Sequence, residues 1–111
     1  DGTAVRDFIH VSDLADIHVI VAEHLESNKE SGIYNCGYGT GYSVKQVVKT
    51  MEQILNKNLN NELGPRRDGD IPYSVANNEK FKNKFNWSPK YNNLNYILSS
   101  ALNWENYIND L

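Results

Sequence analysis

Apolar residues recur at three- and four-residue steps in three separate stretches, and this helical periodicity limits the folds open to the chain more than any other feature. The pattern is most complete between Val44 and Leu55, where nearly every step fits one helical face. Ser43 is the predicted N-cap, because its hydroxyl can accept a hydrogen bond from a free N–H of the first turn. The asparagine-rich run from Asn56 to Asn61 is predicted to end the helix.

Two more amphipathic helices are predicted, one on each side of this central helix. The first starts at Asp13, with Ser12 as its N-cap, and ends near residues 27–29. Its apolar stripe consists of Leu14, Ile17, His18, Val21 and Leu25. The last helix runs from about Asn93 toward Tyr107, with apolar and aromatic side chains on one face. The chain is therefore predicted to contain three main helices.

Short extended segments separate these helices. Residues 4–11 fit a strand or an extended segment that enters the first helix, and Ile33–Cys36 is a second strand candidate. Two prolines and two glycines between Gly64 and Tyr73 prevent a regular helix there. A short helix, capped by one of two adjacent asparagines, is expected at residues 77–85. We therefore predict a mixed α/β fold that forms one domain, residues 1–111, with short strands in a small sheet.

Length and composition argue against several classes of protein. A chain of 111 residues can bury a core but is short for a complete two-substrate enzyme. The net charge of −3 argues against a general nucleic-acid binder, which needs a basic excess to displace counterions from phosphate. No stretch is apolar for long enough to cross a membrane, and the first residues do not form a signal peptide. Neither nucleic acid nor a membrane is an expected partner.

Cysteine and methionine each occur once. Cys36 can form neither an intrachain disulfide nor a multi-cysteine zinc site, so a reducing, cytoplasmic setting is expected. Its place at the end of a short apolar stretch favours a buried, inert thiol over a nucleophile. The only methionine is Met51 and the first residue is Asp1, so we expect the chain to be a piece of a longer protein.

A glycine-spaced loop, Gly37-Tyr38-Gly39-Thr40-Gly41, joins the second strand candidate to the central helix. This position is typical of loops that bind nucleotide phosphates with backbone N–H groups. The spacing differs, because the dinucleotide fingerprint is G-x-G-x-x-G and no acidic residue follows a second strand at the expected distance. We therefore favour a tight turn that needs glycine for backbone reasons, with a dinucleotide site as the alternative.

Charged side chains concentrate in the loop between Pro65 and Pro72, which contains Arg66, Arg67, Asp68 and Asp70. An arginine fork can bind two phosphate oxygens, and a carboxylate can accept from both hydroxyls of a ribose. The alternative is a solvated cluster in which arginine and aspartate neutralise each other. Arg6 and Asp7 lie in an apolar stretch, so either they pair with each other or a neighbour, or Arg6 is free for an anion.

The histidines and late aromatic residues are assigned structural roles. His10, His18 and His24 lack a metal-ligand spacing, so no metal site is predicted. His18 lies on the apolar stripe of the first helix and is predicted to be a hydrogen-bonded packing residue. Core and helix packing is the favoured role of the late aromatics, with a sugar-stacking platform as the alternative; they are Trp87, Tyr91, Tyr96, Trp104 and Tyr107.

Four ordered blocks of the sequence together resemble the UDP-glucose 4-epimerase family of extended short-chain dehydrogenases. They are residues 1–18 (DGTAVRDFIHVSDLADIH), 34–44 (YNCGYGTGYSV), 65–72 (PRRDGDIP) and 87–91 (WSPKY). The resemblance covers essentially the whole chain and implies that it is the C-terminal substrate-binding lobe. It also implies an N-terminal Rossmann domain, outside these residues, that binds NAD and carries a Tyr-x-x-x-Lys catalytic pair. No such pair occurs here, so no catalytic residue is predicted and these residues alone are expected to be inactive.

The resemblance implies substrate-binding roles for individual residues. In the family, the arginines that match Arg6 and Arg67 contact the UDP diphosphate, and the acid that matches Asp70 takes the ribose hydroxyls. Phe8 matches a position that is usually tyrosine and lines the nucleotide site, so it keeps the ring and loses the hydroxyl. Arg66 and Asp68, the other charged residues of this loop, are predicted to be structural.

Ser74 matches a position that bears on the choice of sugar. Some family members have a bulky tyrosine there that crowds the sugar, whereas others have a small side chain and accept N-acetylated hexosamines. Ser74 therefore implies that the whole enzyme tolerates UDP-N-acetylhexosamines. A shift of one residue in the match would place Tyr73 at this position and reverse the inference.

The partners implied by the resemblance are a UDP-sugar substrate, the N-terminal Rossmann domain and a second subunit in a homodimer. The first predicted helix, residues 12–27, is expected to pack against the Rossmann domain, which leaves its apolar face partly exposed in these residues alone. One alternative is another nucleotide-sugar epimerase, dehydratase or decarboxylase of the same superfamily. The other is a non-catalytic remnant or interaction domain from a split gene.

Overall fold

A computed structural model describes the whole chain, residues 1–111, as four helices and three short strands. In chain order the elements are β1 (Val5–Arg6), α1 (Val11–Asn28), β2 (Tyr42–Ser43), α2 (Val44–Leu55), β3 (Tyr73–Ser74), α3 (Glu79–Phe85) and α4 (Leu94–Asn109). The prediction of a mixed α/β fold with three main helices is confirmed, and the expected short helix is α3. None of the helices is both long and apolar enough to cross a membrane.

The central helix α2 forms where the sequence predicts it. The Oγ of Ser43 accepts a hydrogen bond from the Gln46 N–H at 3.2 Å, and the Gln46 Oε1 accepts one from the Ser43 N–H at 2.7 Å. This reciprocal pair satisfies two backbone donors at the start of the helix. Asn56 ends α2 with a φ of 50°, a left-handed conformation that asparagine tolerates better than most residues.

Helix α1 begins two residues earlier than predicted, and the assignment of Ser12 as its N-cap is wrong. His10 is the N-cap: its backbone is extended, and its Nδ1 accepts a hydrogen bond from the Ser12 N–H at 3.0 Å. An imidazole nitrogen therefore takes the place of the expected hydroxyl. The helix ends at Asn28, within the predicted range.

Helix α4 also has a local cap, because the Asn93 side chain accepts a hydrogen bond from the Tyr96 N–H at 2.9 Å. The helix packs against α2. Before α3, the Asn77 side chain accepts a hydrogen bond from the Glu79 N–H at 3.1 Å, while Asn78 occupies the N-cap position. Both asparagines therefore take part in starting this short helix.

The sheet has the order β2-β1-β3, with β1 antiparallel to β2 and parallel to β3. Arg6 lies opposite Tyr42 on one side and Ser74 on the other. The predicted strand at Ile33–Cys36 does not form. No backbone hydrogen bond joins this segment to another strand, and extended chain becomes sheet only when a neighbour supplies donors and acceptors.

The buried core lies between α1, the glycine loop and α3, and consists of Ile17, Tyr38, Phe81 and Trp87. Phe81 is fully buried, and its ring centroid lies 5.8 Å from that of Trp87 and 4.7 Å from that of Phe85. These separations are typical of packed aromatic pairs. The predicted packing role of Trp87 is therefore confirmed.

Two other aromatics contradict the packing prediction. Trp104 and Tyr107 of α4 are 60% and 57% exposed, although their rings lie 5.6 Å apart. Residues 103–109 at this end of α4 are all exposed, so its aromatic face covers no core among these residues. The prediction that core packing explains both residues is wrong.

The apolar stripe of α1 is divided between core and surface. Ile17 is buried in the core, whereas Leu25, near the end of the same stripe, is exposed. Val11 and Val19 are also exposed, at 73% and 56%. The expectation of a partly exposed apolar face on this helix is therefore confirmed, but its most exposed members lie outside the predicted stripe.

Candidate nucleotide-sugar site

Arg6 is fixed by its own strand and by the segment that precedes β3. Its Nη1 donates to the carbonyl oxygens of Val5 at 2.7 Å and Ile71 at 2.8 Å. Its Nη2 donates to the Asp70 carboxylate at 2.9 Å. Of the sequence-based alternatives for Arg6, the structure therefore shows pairing with an acidic group, but the partner is Asp70 and not the adjacent Asp7.

A tight turn presents the charged loop. The Asp70 N–H donates to the Arg67 carbonyl at 3.2 Å, and Gly69 between them has a φ of 77°. Glycine adopts this left-handed conformation at little cost, so the local sequence explains the turn. The turn brings Arg67 and Asp70 to its two ends. The Arg67 guanidinium is exposed and donates no hydrogen bond to the chain, whereas Asp70 is half-buried.

Arg6 and the charged loop line one cleft of about 330 Å³, which we call the arginine cleft. Its walls are formed by Asp1, Gly2, Ala4, Arg6, Val44, Pro65, Arg66, Arg67 and Asp70. Three arginines and Asp70 thus line one cleft, although they come from β1 and from a loop about sixty residues later. Guanidinium groups suit a diphosphate, and a carboxylate suits a pair of ribose hydroxyls.

A second cleft, which we call the serine cleft, shares Arg6 with the first. It measures about 510 Å³ and is lined by Arg6, Asp7, Tyr34, Asn35, Cys36, Ser74, Val75, Ala76 and Asn77. Since Arg6 and Ser74 lie opposite each other in the β1–β3 pair, their side chains are on the same face of the sheet. Tyr73 pairs with Val5 on the other face and lines neither cleft.

Phe8 is the one predicted site residue that the structure does not bring to these clefts. It lies two residues after Arg6, is half-buried and lines neither the arginine cleft nor the serine cleft. The predicted role of its ring in a nucleotide site therefore stays a prediction.

The glycine loop is a tight turn and does not fit a dinucleotide. A Cβ on Gly37 would lie 2.6 Å from the Asp7 carboxylate and 2.7 Å from the Ala76 Cβ, so only glycine fits there. The N–H groups of Tyr38 and Gly39 both donate to Asp7 at 2.9 Å. Because these donors are already used, they are not free for a pyrophosphate. The favoured sequence interpretation is confirmed, and these residues offer no place for NAD.

Comparisons with known proteins agree along nearly the whole chain. The model of the NAD dependent epimerase/dehydratase family matches residues 1–37. A UDP-glucose 4-epimerase from Azospirillum brasilense is 45% identical over 105 residues, which are 95% of this chain and 30% of that protein. This chain is therefore similar to the C-terminal part, about 30% of the length, of UDP-glucose 4-epimerases.

Solved structures of UDP-glucose 4-epimerases have the same fold in the matching part. The Stenotrophomonas maltophila enzyme, solved with bound NAD and formylated UDP-arabinopyranose, superposes with a TM-score of 0.89 at 31% identity, covering 99% of this chain and 32% of that one. The UDP-Glc/GlcNAc 4-epimerase of Campylobacter jejuni gives a TM-score of 0.84 at 41% identity, covering 96% and 32%. The chain therefore spans about a third of the length of the epimerases that it matches.

A buried carboxylate, which sequence reasoning did not assign to the core, joins α1 to two distant segments of the chain. Asp13 is fully buried and accepts hydrogen bonds from the Tyr38 hydroxyl at 2.5 Å and from the N–H groups of Lys90 and Tyr91. The sequence places Asp13 in the first turn of α1, where the helix dipole stabilises its negative charge. No local signal in the sequence reveals the distant donors of its hydrogen bonds.

The Asp13 hydrogen bonds perturb both partners. Burial by itself would raise the pKa of Asp13, but the hydrogen bonds from Tyr38, Tyr91 and Lys90 outweigh it, so its pKa lies below the ordinary value. Burial and the bond to Asp13 raise the pKa of the Tyr38 hydroxyl far above its ordinary value. An ionised Asp13 carboxylate therefore accepts a hydrogen bond from the neutral Tyr38 phenol, and this bond holds the glycine loop on α1.

The remaining candidates have structural contacts. The His18 Nδ1 donates a hydrogen bond to the Leu14 carbonyl oxygen at 2.7 Å, so the predicted hydrogen bond is confirmed. His18 is exposed, so its predicted packing role is wrong. Cys36 is half-buried, and burial raises the pKa of its thiol, which favours the inert form. No group of three or more potential metal-ligating side chains occurs in the structure.

Proposed function

We propose that residues 1–111 form one domain that binds the UDP part of the substrate in a UDP-glucose/UDP-galactose 4-epimerase. One observation carries the proposal: Arg6, Arg67 and Asp70 line a single cleft although Arg6 is remote from the other two in sequence. The similarity to epimerases over nearly the whole chain supports the same reading. Because the chain spans about a third of those enzymes, the activity of the whole protein is part of the proposal.

The arginine cleft supplies the chemistry that a nucleoside diphosphate requires. Arg67 has its guanidinium free to bind the diphosphate oxygens. Arg6 lines the same cleft, where two carbonyl oxygens and the Asp70 carboxylate hold its guanidinium in place. Asp70 uses one carboxylate oxygen for Arg6, so the other is available to the ribose hydroxyls. Charge-assisted bonds of this kind contribute about 1.5–3 kcal/mol each.

The role of these residues in the reaction is to bind and orient the substrate. The whole enzyme would change the configuration of the hexose at C4, with NAD in the N-terminal domain supplying the hydride acceptor. The residues of this chain hold the UDP, which is remote from C4, and the energy of that binding positions the sugar for reaction. We accordingly assign no catalytic residue to this chain.

The serine cleft bears on which sugar is accepted. Ser74 lies opposite Arg6 on the same face of the sheet, whereas Tyr73 belongs to the other face. This placement supports Ser74, and not Tyr73, as the residue beside the hexose. A small side chain leaves room for an N-acetyl group, and the similar Campylobacter jejuni enzyme is a UDP-Glc/GlcNAc 4-epimerase. We therefore propose that UDP-N-acetylhexosamines are also accepted.

The N-terminal Rossmann domain is the proposed partner of the exposed face of α1. Val11 and Val19 are exposed on this helix, and apolar side chains at such a face are stabilised when a second domain covers them.

We further propose a homodimeric, cytoplasmic enzyme; the single cysteine agrees with a reducing compartment. Light scattering of the native protein tests the dimer, and a monodisperse monomer at high concentration would exclude it.

Titration calorimetry of UDP into the native protein that contains this chain tests the binding role. We expect Arg67→Ala to weaken UDP binding by about tenfold or more, because one charge-assisted contact is lost. Lys82→Ala is the control: it removes one positive charge from an exposed position of α3 that lines neither cleft, and it is expected to change the affinity by less than about threefold. Equal effects of the two substitutions, or no binding of UDP by the wild type, would contradict the proposal.

A second assay tests the reaction itself. The native protein with NAD should interconvert UDP-glucose and UDP-galactose, which is measured by separating the two products. A protein that binds UDP tightly but leaves both sugars unchanged would support another nucleotide-sugar enzyme of the same superfamily. A native protein of about the present length would instead support a non-catalytic remnant.

A further inference from the structure

Asp7 lies beside Arg6 but does not pair with it. Its carboxylate accepts three backbone hydrogen bonds: Oδ1 accepts from the Tyr38 N–H at 2.9 Å, and Oδ2 accepts from the N–H groups of Gly39 at 2.9 Å and Ala76 at 3.3 Å. One side chain at the end of β1 therefore joins the glycine loop to the segment that follows β3. Such contacts to an ionised acceptor are stronger than those between neutral groups.

The surroundings of the Asp7 carboxylate leave it no room to move. The absent side chain of Gly37 opens the space that the carboxylate fills, since a Cβ there would lie 2.6 Å from Oδ2. On the far side of this loop, the Asn78 side chain donates to the Gly37 carbonyl at 2.7 Å. The loop is thus held from both sides, which fixes the carboxylate relative to β1.

The sheet depends on such contacts because its strands are very short. Strands β1 and β3 each contain two residues, and pairing of this length contributes little stability by itself. The Val5 N–H donates to the Pro72 carbonyl at 2.9 Å at one end of β3, and Asp7 binds the Ala76 N–H at the other end. Ser74 lies between these two attachment points, and Asp70 precedes the first.

We infer that Asp7 is a positioning residue for the nucleotide-sugar site, because its carboxylate fastens the segment after β3 and so fixes Ser74 and Asp70 relative to Arg6. The inference rests on the proposed function and deepens it. Asp7 lines the serine cleft, but the three hydrogen bonds of its carboxylate are all to backbone N–H groups. It acts through the backbone that carries the residues of both clefts.

Comparison of Asp7→Asn with Asp13→Asn tests the inference in the native protein. Both carboxylates accept backbone hydrogen bonds and both hold the glycine loop, Asp13 through the Tyr38 hydroxyl. Asp13 also binds residues 90–91, but it makes no hydrogen bond to the segment at 70–76. We expect Asp7→Asn to weaken UDP binding by about tenfold, and Asp13→Asn to change it by less than about threefold, whatever each does to thermal stability. A residue with a merely structural role would alter stability but leave the affinity of the folded variants for UDP unchanged, so affinity is the deciding measurement.

Hydrogen exchange measured by mass spectrometry supplies a second readout. Asp7→Asn should speed amide exchange in peptides covering residues 70–76, and Asp13→Asn should not. If Asp7→Asn does not fold, Asp7→Glu replaces it: the longer side chain keeps the charge but moves the carboxylate, and the same loss of affinity and protection is expected.

Either of two results would overturn the inference about Asp7 while leaving the proposed function intact. One is wild-type affinity for UDP in folded Asp7→Asn, and the other is an equal loss of affinity in Asp7→Asn and Asp13→Asn. Failure of the wild-type protein to bind UDP would instead overturn the proposed function, so the two failures are distinguishable.

Discussion

The Arg6 guanidinium lies 2.9 Å from the Asp70 carboxylate, although 64 residues separate them in the sequence. Both side chains are partly shielded from solvent. The pair joins β1 to the charged loop and sets the distance between the guanidinium groups and the carboxylate of the arginine cleft. It also gives Asp70 two roles, one in holding the loop and one in the proposed binding of a ribose.

Asp70→Asn should weaken the binding of UDP. The substitution removes the charge that pairs with Arg6 and replaces one acceptor oxygen by a donor, so we expect a loss of about 1.5–3 kcal/mol in binding free energy. Titration calorimetry measures it. Asp68→Asn is the matched control, because Asp68 is an exposed carboxylate of the same turn that makes no side-chain hydrogen bond; comparable losses in both variants would argue against a specific role for Asp70.

Ser74→Tyr should change the choice of sugar. The larger side chain on the Arg6 face of the sheet should lower kcat/KM for UDP-N-acetylglucosamine more than for UDP-glucose, because it fills the space next to the hexose. Tyr73→Ser is the control on the opposite face and should leave the ratio of the two kcat/KM values unchanged. A change of the ratio in the Tyr73 variant alone would mean that Tyr73 is the residue beside the sugar.

Protonation of Asp13 should contribute to the unfolding of the protein in acid. Its pKa in the folded protein lies below the value of 3.8 for the free side chain. Its contribution to stability is therefore fully present above about pH 4 and is lost as the pH falls through the lower, folded pKa. Thermal unfolding between pH 6 and pH 2 measures this, and Asp13→Asn should unfold at a lower temperature at pH 6 with a weaker dependence on acid. A parallel pH profile in the two proteins would contradict the assignment.

Phe81→Ala should strongly destabilise the domain. Phe81 is fully buried among Tyr34, Phe85 and Trp87, so its removal leaves a cavity and costs about 3–5 kcal/mol in the free energy of unfolding. Trp104→Ala removes an aromatic side chain that is mostly exposed and should cost less than about 1 kcal/mol. Urea denaturation of both variants measures the difference, and similar costs would show that the core does not depend on Phe81.

Several elements could be predicted because their causes are local. The periodicity of residues 44–55 and the capping pair of Ser43 and Gln46 are contained within the sequence of α2 itself. The turn that carries Arg67 and Asp70 depends on Gly69, which lies between them. The need for glycine at Gly37 is also predicted, but its cause is not local, because the Asp7 carboxylate and the Ala76 Cβ occupy the space that a side chain would fill.

Other predictions failed because they depend on distant partners. Ile33–Cys36 has the composition of a strand, but no neighbouring strand supplies its hydrogen bonds among these residues. Trp104 and Tyr107 have the spacing of a packed face, but nothing in this chain covers them. Ser12 is the predicted N-cap of α1 because serine is a common cap. In the structure the ring nitrogen of the buried His10 is the cap and accepts the hydrogen bond from the Ser12 N–H.

The sequence by itself determined the helices, the turns and the residue types that suit a nucleoside diphosphate, because each rests on neighbours within a few positions of the chain. Only the tertiary structure decided that Arg6 pairs with Asp70, that Asp7 holds Ala76 and that Asp13 holds Tyr91. The physical reason is that a hydrogen bond forms wherever the packed backbone brings donor and acceptor together. The number of residues between two groups in the sequence does not indicate whether they come together in the fold.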